Sequence, residues 1–211
     1  MKYNCLVWDW NGTIVDDVNA SLCSVNDMLI KRGLPTINIQ QYYSYLDTPI
    51  YKFYEHLFDL SKISFDVIQS EFTAGYDKHI GENPLNAGAL ELMEYFKNIG
   101  IRQIIVSSSS HKIVEEAANR LGVARYMDYI SGSGDNAVGS KVQRAVSVIN
   151  KVTKDYSKVV AVGDTLHDCQ LANEIGADCV LVSTGHQSKQ DLLTTGKPVI
   201  DSLYQLKNYI F

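Results

Sequence analysis

Beyond residue 100, short unbroken apolar runs alternate with longer stretches whose apolar residues recur every three or four positions. IRQIIV (101–106), YMDYIS (126–131), KVVAVG (158–163), DCVLVS (178–183) and PVI (198–200) predict strands. HKIVEEAANRLG (111–122), closed by Gly122, KVQRAVSVINKV (141–152) and HDCQLANEIGA (167–177) predict helices, and SLYQLKNYIF (202–211) completes the pattern. A strand without a polar face must be covered on both sides. Strands of this kind alternating with helices predict a three-layer α/β/α, Rossmann-like parallel sheet.

Residues 18–80 break this rhythm. They are rich in Tyr, Leu, Ile and Phe at helical spacing, contain no convincing strand, and are interrupted most clearly at Gly33-Leu34-Pro35. The expected organisation is one strand (3–9), a helical cap inserted over residues 16–83, and a core domain made of 1–15 and 84–211, with Gly81–Pro84 as the return linker.

Length and composition narrow the choice. A chain of 211 residues, 45% hydrophobic and 20% charged, suits a core domain with a modest insertion. A net charge of −5 opposes a nucleic-acid or anionic-membrane binder, which needs a basic face. Cys5, Cys23, Cys169 and Cys179 show no CxxC or Cys/His spacing and read as reduced thiols. The apolar run Cys5–Trp8 is too short for a signal peptide, and nothing approaches the ~20 apolar residues of a membrane span. The expectation is a soluble, cytoplasmic protein of undetermined oligomeric state.

Polar residues fall at strand ends, where open α/β sheets bind ligands. Asp9 ends the first strand, Ser107 follows IIV, Asp164 follows VVAVG with Asp168 four residues on, and Lys141 opens a helix. Singly these are bland: Asp9 reads as a turn residue, Ser107 as part of a serine loop, Lys141 as solvated. Together they are chemical. Clustered carboxylates need a cation, and oxygen ligands favour Mg²⁺. A hydroxyl and an ammonium beside it suit a phosphoryl group, and a carboxylate can be the nucleophile that carries it.

The ordered set resembles the haloacid dehalogenase-like hydrolase superfamily over essentially the whole chain. DWNGT is similar to its first motif, DxDGT; VSS to the second; Lys141 to the third; GDTLHD to the fourth. The helical insertion is similar to the small cap of phosphoglycolate-phosphatase-like members. The resemblance implies a Mg²⁺-dependent phosphatase acting on a small phosphorylated metabolite, with the cap closing over it. Asp9 is then nucleophile and metal ligand, Asn11 lends its backbone carbonyl to the metal, Asp164 ligates it directly and Asp168 through water. Ser107 and Lys141 hold phosphoryl oxygens, with Ser108 beside them, and Gly12 and Thr13 shape the substrate-facing turn into the cap.

Asn11 departs from the pattern. Most phosphatases of the superfamily carry aspartate there, which protonates the leaving group and then activates water; an amide hydrogen-bonds but carries no proton. Such catalysis is worth about 10²–10⁴-fold, and the loss weighs most on alkyl phosphates and least on acyl or aryl phosphates. Three readings stay open: a phosphatase that manages without this acid, through water, substrate or His167; a weak or inactive relative that binds a phosphorylated ligand; or other chemistry, such as phosphonate cleavage with a cap lysine (Lys31, Lys52, Lys62 or Lys78) or phosphotransfer with a second phosphate pocket near Ser109. Asn11-Gly12 is also a deamidation-prone pair whose hydrolysis would create the missing aspartate.

Other motifs are set aside. GDNAVGSK (134–141) has Ser140 and Lys141 in the wrong order for a P-loop, and SGSG lacks dinucleotide-binding spacing. His111 reads as a helix start and His186 as a loop residue. The cap aromatics Tyr42, Tyr43, Tyr45, Tyr51, Phe53 and Tyr54 read as core, and Asp47, Thr48 and Lys52 as a loop facing the site.

Overall fold

The computed structural model describes residues 2–47, 49–134 and 140–211, so Thr48 and most of GDNAVGSK lie outside the described residues. In chain order the elements are β1 (Cys5–Trp8), α1 (Val18–Lys31), α2 (Ile39–Tyr45), α3 (Tyr51–Glu55), α4 (Phe65–His79), α5 (Ala89–Asn98), β2 (Arg102–Ser110), α6 (His111–Arg120), β3 (Tyr129–Ser133), α7 (Lys141–Ile149), β4 (Val159–Gly163), α8 (Leu166–Ile175), β5 (Asp178–Val182), α9 (Lys189–Leu193), β6 (Val199–Ile200) and α10 (Lys207–Ile210). The chain divides into two compact units, 1–16 with 85–211, and 17–84.

The first unit is a six-stranded sheet in the order β3-β2-β1-β4-β5-β6, parallel at every pairing. β1 lies between β2 and β4. The chain leaves β1 toward one edge and later returns to its other side, so the strand order reverses beside β1, where such sheets bind ligands. Alternation sorts the side chains. Cys5, Val7, Ile104 and Val106 pack against Ala145, Val148 and Ile149 of α7 and Leu171 and Ile175 of α8. Gln103 points to the opposite face, where its Nε2 donates to Met93 O (2.8 Å) on α5 and its Oε1 accepts from Trp8 Nε1 (3.2 Å). Helices thus cover both faces, and this fully buried amide is satisfied.

Two expectations are corrected. The serine run is strand, not loop: β2 continues to Ser110, which pairs with Ser133 after a register shift beyond Val106. A strand edge satisfied by β3 outweighs the low strand preference of serine. β3 begins at Tyr129 rather than 126, because Ala124–Tyr126 form a 3₁₀ turn. Helix α5 was not anticipated, although Leu92, Met93 and Phe96 recur at helical spacing and are fully buried.

The second unit is helical, with a core of Val25, Met28, Leu29, Tyr42, Phe53, Tyr54, Phe58 and Ile68. Its two long helices approach closely: a Cβ on Gly75 would lie 2.5 Å from Ser24 Oγ, which itself donates to Phe72 O at 2.6 Å. Tyr42, Phe53 and Tyr54 are core residues as expected, Tyr43 and Tyr45 are half-buried against this core, and Tyr51 is exposed. No helix among the described residues is long and apolar enough to cross a membrane.

Candidate active site

Asp9 follows directly on β1, and its N–H donates to Val162 O of β4 (2.9 Å). Asp164 follows β4, and Asp168 lies one turn on in α8. One carboxylate oxygen from each of Asp9, Asp164 and Asp168 lies within 4.8 Å of the others. Into this cluster comes Lys141 Nζ, 2.5 Å from Asp9 Oδ1 and 2.7 Å from Asp168 Oδ1. Lys141 opens α7 behind a capping box of Ser140 and Gln143. A cation at a helix N-terminus opposes the helix dipole; the two carboxylates offset that.

Asp164 is held from two sides, its Oδ1 accepting from Thr13 Oγ (3.0 Å) and its Oδ2 from the His186 N–H (2.7 Å). Asp168 Oδ2 accepts from the Asp164 and Thr165 N–H groups (3.2 and 3.1 Å) and from Thr165 Oγ (2.7 Å), while Thr165 caps α8 in return. Three glycines make room. A Cβ on Gly12, which has φ +71°, would lie 2.2 Å from Asp164 Oδ2; one on Gly185 would lie 2.2 Å from Asp164 Cβ; one on Gly163 would lie 2.3 Å from Asp168 Cβ. Beneath, Val7, Val106, Ala161 and Leu171 line a small apolar cavity with Asp9, Lys141 and Asp168.

This crowding sets the electrostatics. Burial pushes the Asp9 carboxyl up to about 8, against the pull of Lys141 and with help from Asp168 and Asp164. Burial likewise raises Asp164 to about 6 although His186 opposes it. Asp168 is also penalised by burial, but Lys141 and Thr165 outweigh this and hold it below the ordinary carboxylate range. Lys141 is raised, its burial overcome by Asp168 and Asp9. Three carboxylates against one ammonium leave two negative charges when all are ionised. An all-oxygen donor set with that charge suits a hard divalent cation such as Mg²⁺.

Ser107 is buried; its Oγ accepts from the Ser109 N–H (3.0 Å) and its carbonyl from Arg144 (3.0 Å). Ser108 is exposed and does not join the cluster's hydrogen bonds among the described residues, and its carbonyl accepts from Ser133 Oγ (2.7 Å). Asn11 reaches Ser109, whose hydroxyl donates to Asn11 Oδ1 at 2.7 Å. His167 is half-buried in the first turn of α8, and His111 opens α6, where its ring pairs with the Gly132 N–H.

Residues not singled out in the sequence also build the site. Asn86, buried, donates to the carbonyls of Gly12 and Thr13 (3.2 and 2.9 Å), and Gln187 Oε1 accepts from the Leu166 N–H at the start of α8 (2.5 Å). His186 lies in a loop, as expected, and from there its backbone holds Asp164 and its ring carbon Cδ2 packs against Gly12. Lys31, Lys52, Lys62 and Lys78 each pair with a carboxylate at the surface and are 42–80% exposed. None has the burial that would depress an amine for Schiff-base chemistry.

Carboxylates from the ends of β1 and β4 and the first turn of α8, with a lysine from the start of α7, gathered at the switch point of a parallel sheet, define a phosphoryl- or acyl-transfer type of site. Residues 6–182 match the haloacid dehalogenase-like hydrolase family, and the chain belongs to it. Among curated relatives, the phosphoglycolate phosphatase of Pseudomonas fluorescens is 22% identical over 211 residues, 95% of this chain and 77% of that protein. That of Rhodobacter capsulatus is 21% identical over 187 residues, covering 86% and 85%. A solved haloacid dehalogenase-like hydrolase from Streptococcus pneumoniae shares the fold with a TM-score of 0.84 at 17% identity, over 100% of this chain and 99% of that one.

Proposed function

We propose that this chain is a Mg²⁺-dependent phosphatase that hydrolyses a small phosphomonoester through an aspartyl-phosphate on Asp9. The observation that carries the reading is the convergence of the Asp9, Asp164 and Asp168 carboxyl groups, with the Lys141 ammonium paired to Asp9 and Asp168. Asp9, Asp164, Asp168 and the backbone carbonyl of Asn11 would hold the metal, whose chemistry is to neutralise charge on the phosphoryl group.

The chain's own residues do the rest. Lys141 fixes one oxygen of Asp9, leaving the other to attack phosphorus as the ester oxygen departs. The ammonium and the Ser107 hydroxyl stabilise charge on the transferring group, in an apolar floor that strengthens both interactions. Asn11 offers a hydrogen bond to the departing oxygen but no proton. Water then releases phosphate from Asp9. The relatives named as phosphoglycolate phosphatases support a small phosphorylated metabolite as substrate, and we assign the helical unit the role of cap.

Phosphate release from aryl, acyl and sugar phosphates, with and without Mg²⁺, tests this. Wild type is expected to cleave aryl or acyl phosphates only with the metal, Asp9→Asn to abolish this, and Asn11→Asp to extend it to sugar phosphates. No turnover of any of them by wild type or Asn11→Asp overturns the reading.

A further inference from the structure

Resting on the phosphatase reading, we propose that Arg144 is a positioning residue that fixes Ser107 relative to Lys141, the two groups assigned to the phosphoryl oxygens. They come from different elements: Ser107 lies on β2 and Lys141 opens α7. The need for a brace arises in β2. Val106 stands opposite Ser131, and at that register Ser108 would face Ser133, yet Ser133 faces Ser110, so β2 takes up two extra residues here. A bulge of this kind re-aims side chains and breaks the ladder of backbone hydrogen bonds.

The break falls at Ser107 itself. Carbonyls alternate in direction along a strand. That of Gln103 accepts from the Asp128 N–H on the β3 side (2.7 Å), and that of Ser107, four residues on, leaves toward the same side. There a side chain meets it: Arg144 Nη2 donates to Ser107 O at 3.0 Å. The Ser107 hydroxyl accepts from the Ser109 N–H, also at 3.0 Å, so the residue is held at both carbonyl and side chain. Arg144 lies three residues after Lys141, and its own N–H donates to Ser140 O in the first turn of α7 (3.0 Å). One helical turn and one guanidinium therefore connect the lysine to the serine.

Packing alone does not account for an arginine here. Arg144 is buried, and Ala145, Val148 and Ile149 of the same helix are apolar core. A methionine would fill the place without taking a cation out of water. Charge stabilisation depends on where the donors stand, and a misplacement of about 1 Å can cost about 10²-fold in rate. Ser107 and Lys141 serve the transferring phosphoryl group, not the leaving group. Loss of the brace should therefore fall on kcat, and equally for aryl and acyl donors.

The test compares wild type with Arg144→Met and Arg144→Ala, each checked for folding by thermal unfolding. Turnover of p-nitrophenyl phosphate and acetyl phosphate is measured in Mg²⁺, and orthovanadate binding by calorimetry. Arg144 borders a groove of about 560 Å³ lined by β3, α7 and the start of α6, so a small guanidinium can reach the space that truncation leaves. The expected result is a fall in kcat of about 10²-fold for both donors with KM little changed, and weaker vanadate binding. Millimolar ethylguanidinium should restore kcat in Arg144→Ala but not in Arg144→Met, whose side chain fills the space. A lower Tm with kcat unchanged would make Arg144 a packing residue and overturn the proposal. A rise in KM alone would make it a substrate contact, with the same consequence. If wild type turns over neither donor, the phosphatase reading fails, and unchanged vanadate affinity in Arg144→Met then overturns the positioning role as well.

Discussion

Gly12 and Asp164 are packed so closely that a single Cβ on the glycine would lie 2.2 Å from Asp164 Oδ2. Gly12 also has φ +71°, a conformation costly for any residue with a side chain. Gly12→Ala must therefore displace the carboxylate as well as strain the turn. We expect a stability loss of about 1–3 kcal/mol, from strain of this order. The stabilisation by Mg²⁺ should fall with it. Thermal unfolding with and without Mg²⁺ checks both; an unchanged Mg²⁺-dependent shift would mean Asp164 does not hold the ion.

Lys141 compensates two buried carboxylates, and its side chain is only 8% exposed. Removing one partner of a buried ion pair costs about 3–5 kcal/mol. Lys141→Met should fall at the lower end of this range, because Asp9, already raised, can take up a proton. Urea unfolding at pH 7 measures it. Loss of phosphatase activity with no loss of stability would instead show that the ammonium serves chemistry alone.

The raised carboxyls give metal binding a pH signature. Asp9 is raised to about 8 and Asp164 to about 6. A carboxyl whose folded value exceeds its unfolded one contributes stability that is present below the unfolded value, near 4, and is lost as pH rises through the folded value. Asp168, lowered, contributes in the opposite sense, and its contribution is lost only in acid. Between pH 5.5 and 8.5 the metal-free protein thus loses stability from Asp9 and Asp164 as pH rises, and Mg²⁺ held by the ionised forms, as proposed, would restore it. The Mg²⁺-induced rise in Tm is expected to be larger at pH 8.5 than at 5.5. Equal shifts at both would mean these carboxyls are ionised throughout.

Asn11-Gly12 should be protected from deamidation in the native protein. Cyclisation needs the Gly12 nitrogen to approach the Asn11 side-chain carbon, while Ser109 fixes Oδ1, Asn11 bridges to Val15, and Asp164 packs against Gly12. Incubating native and urea-unfolded protein side by side, then peptide mapping, should show conversion only in the unfolded sample. Equal rates would mean the turn opens freely.

Much of the site could be read from the chain because strand ends carry their chemistry with them. Asp9, Asp164 and Asp168 follow short apolar runs or lie one turn beyond, so period and position suffice. The supports were hidden for a physical reason. Asn86 meets Gly12 and Thr13 across more than seventy residues, and His186 meets Asp164 across twenty-two, with no local pattern at either end to announce the pairing. The serine run misled because its strand character comes from pairing with β3, not from its own composition. Helix α5 is short, and only Ala89, Leu92, Met93 and Phe96 mark its buried face.

Asp168 divides its carboxylate between two tasks: one oxygen answers Lys141, and the other closes the capping box that starts α8. The first turn of that helix and the site share this side chain, and we expect them to open as one unit. Amide hydrogen exchange at Thr165–Asp168 should slow when phosphate and Mg²⁺ are added together. A local fluctuation that frays this turn disassembles the charge cluster in the same event, so the site cannot persist half-built.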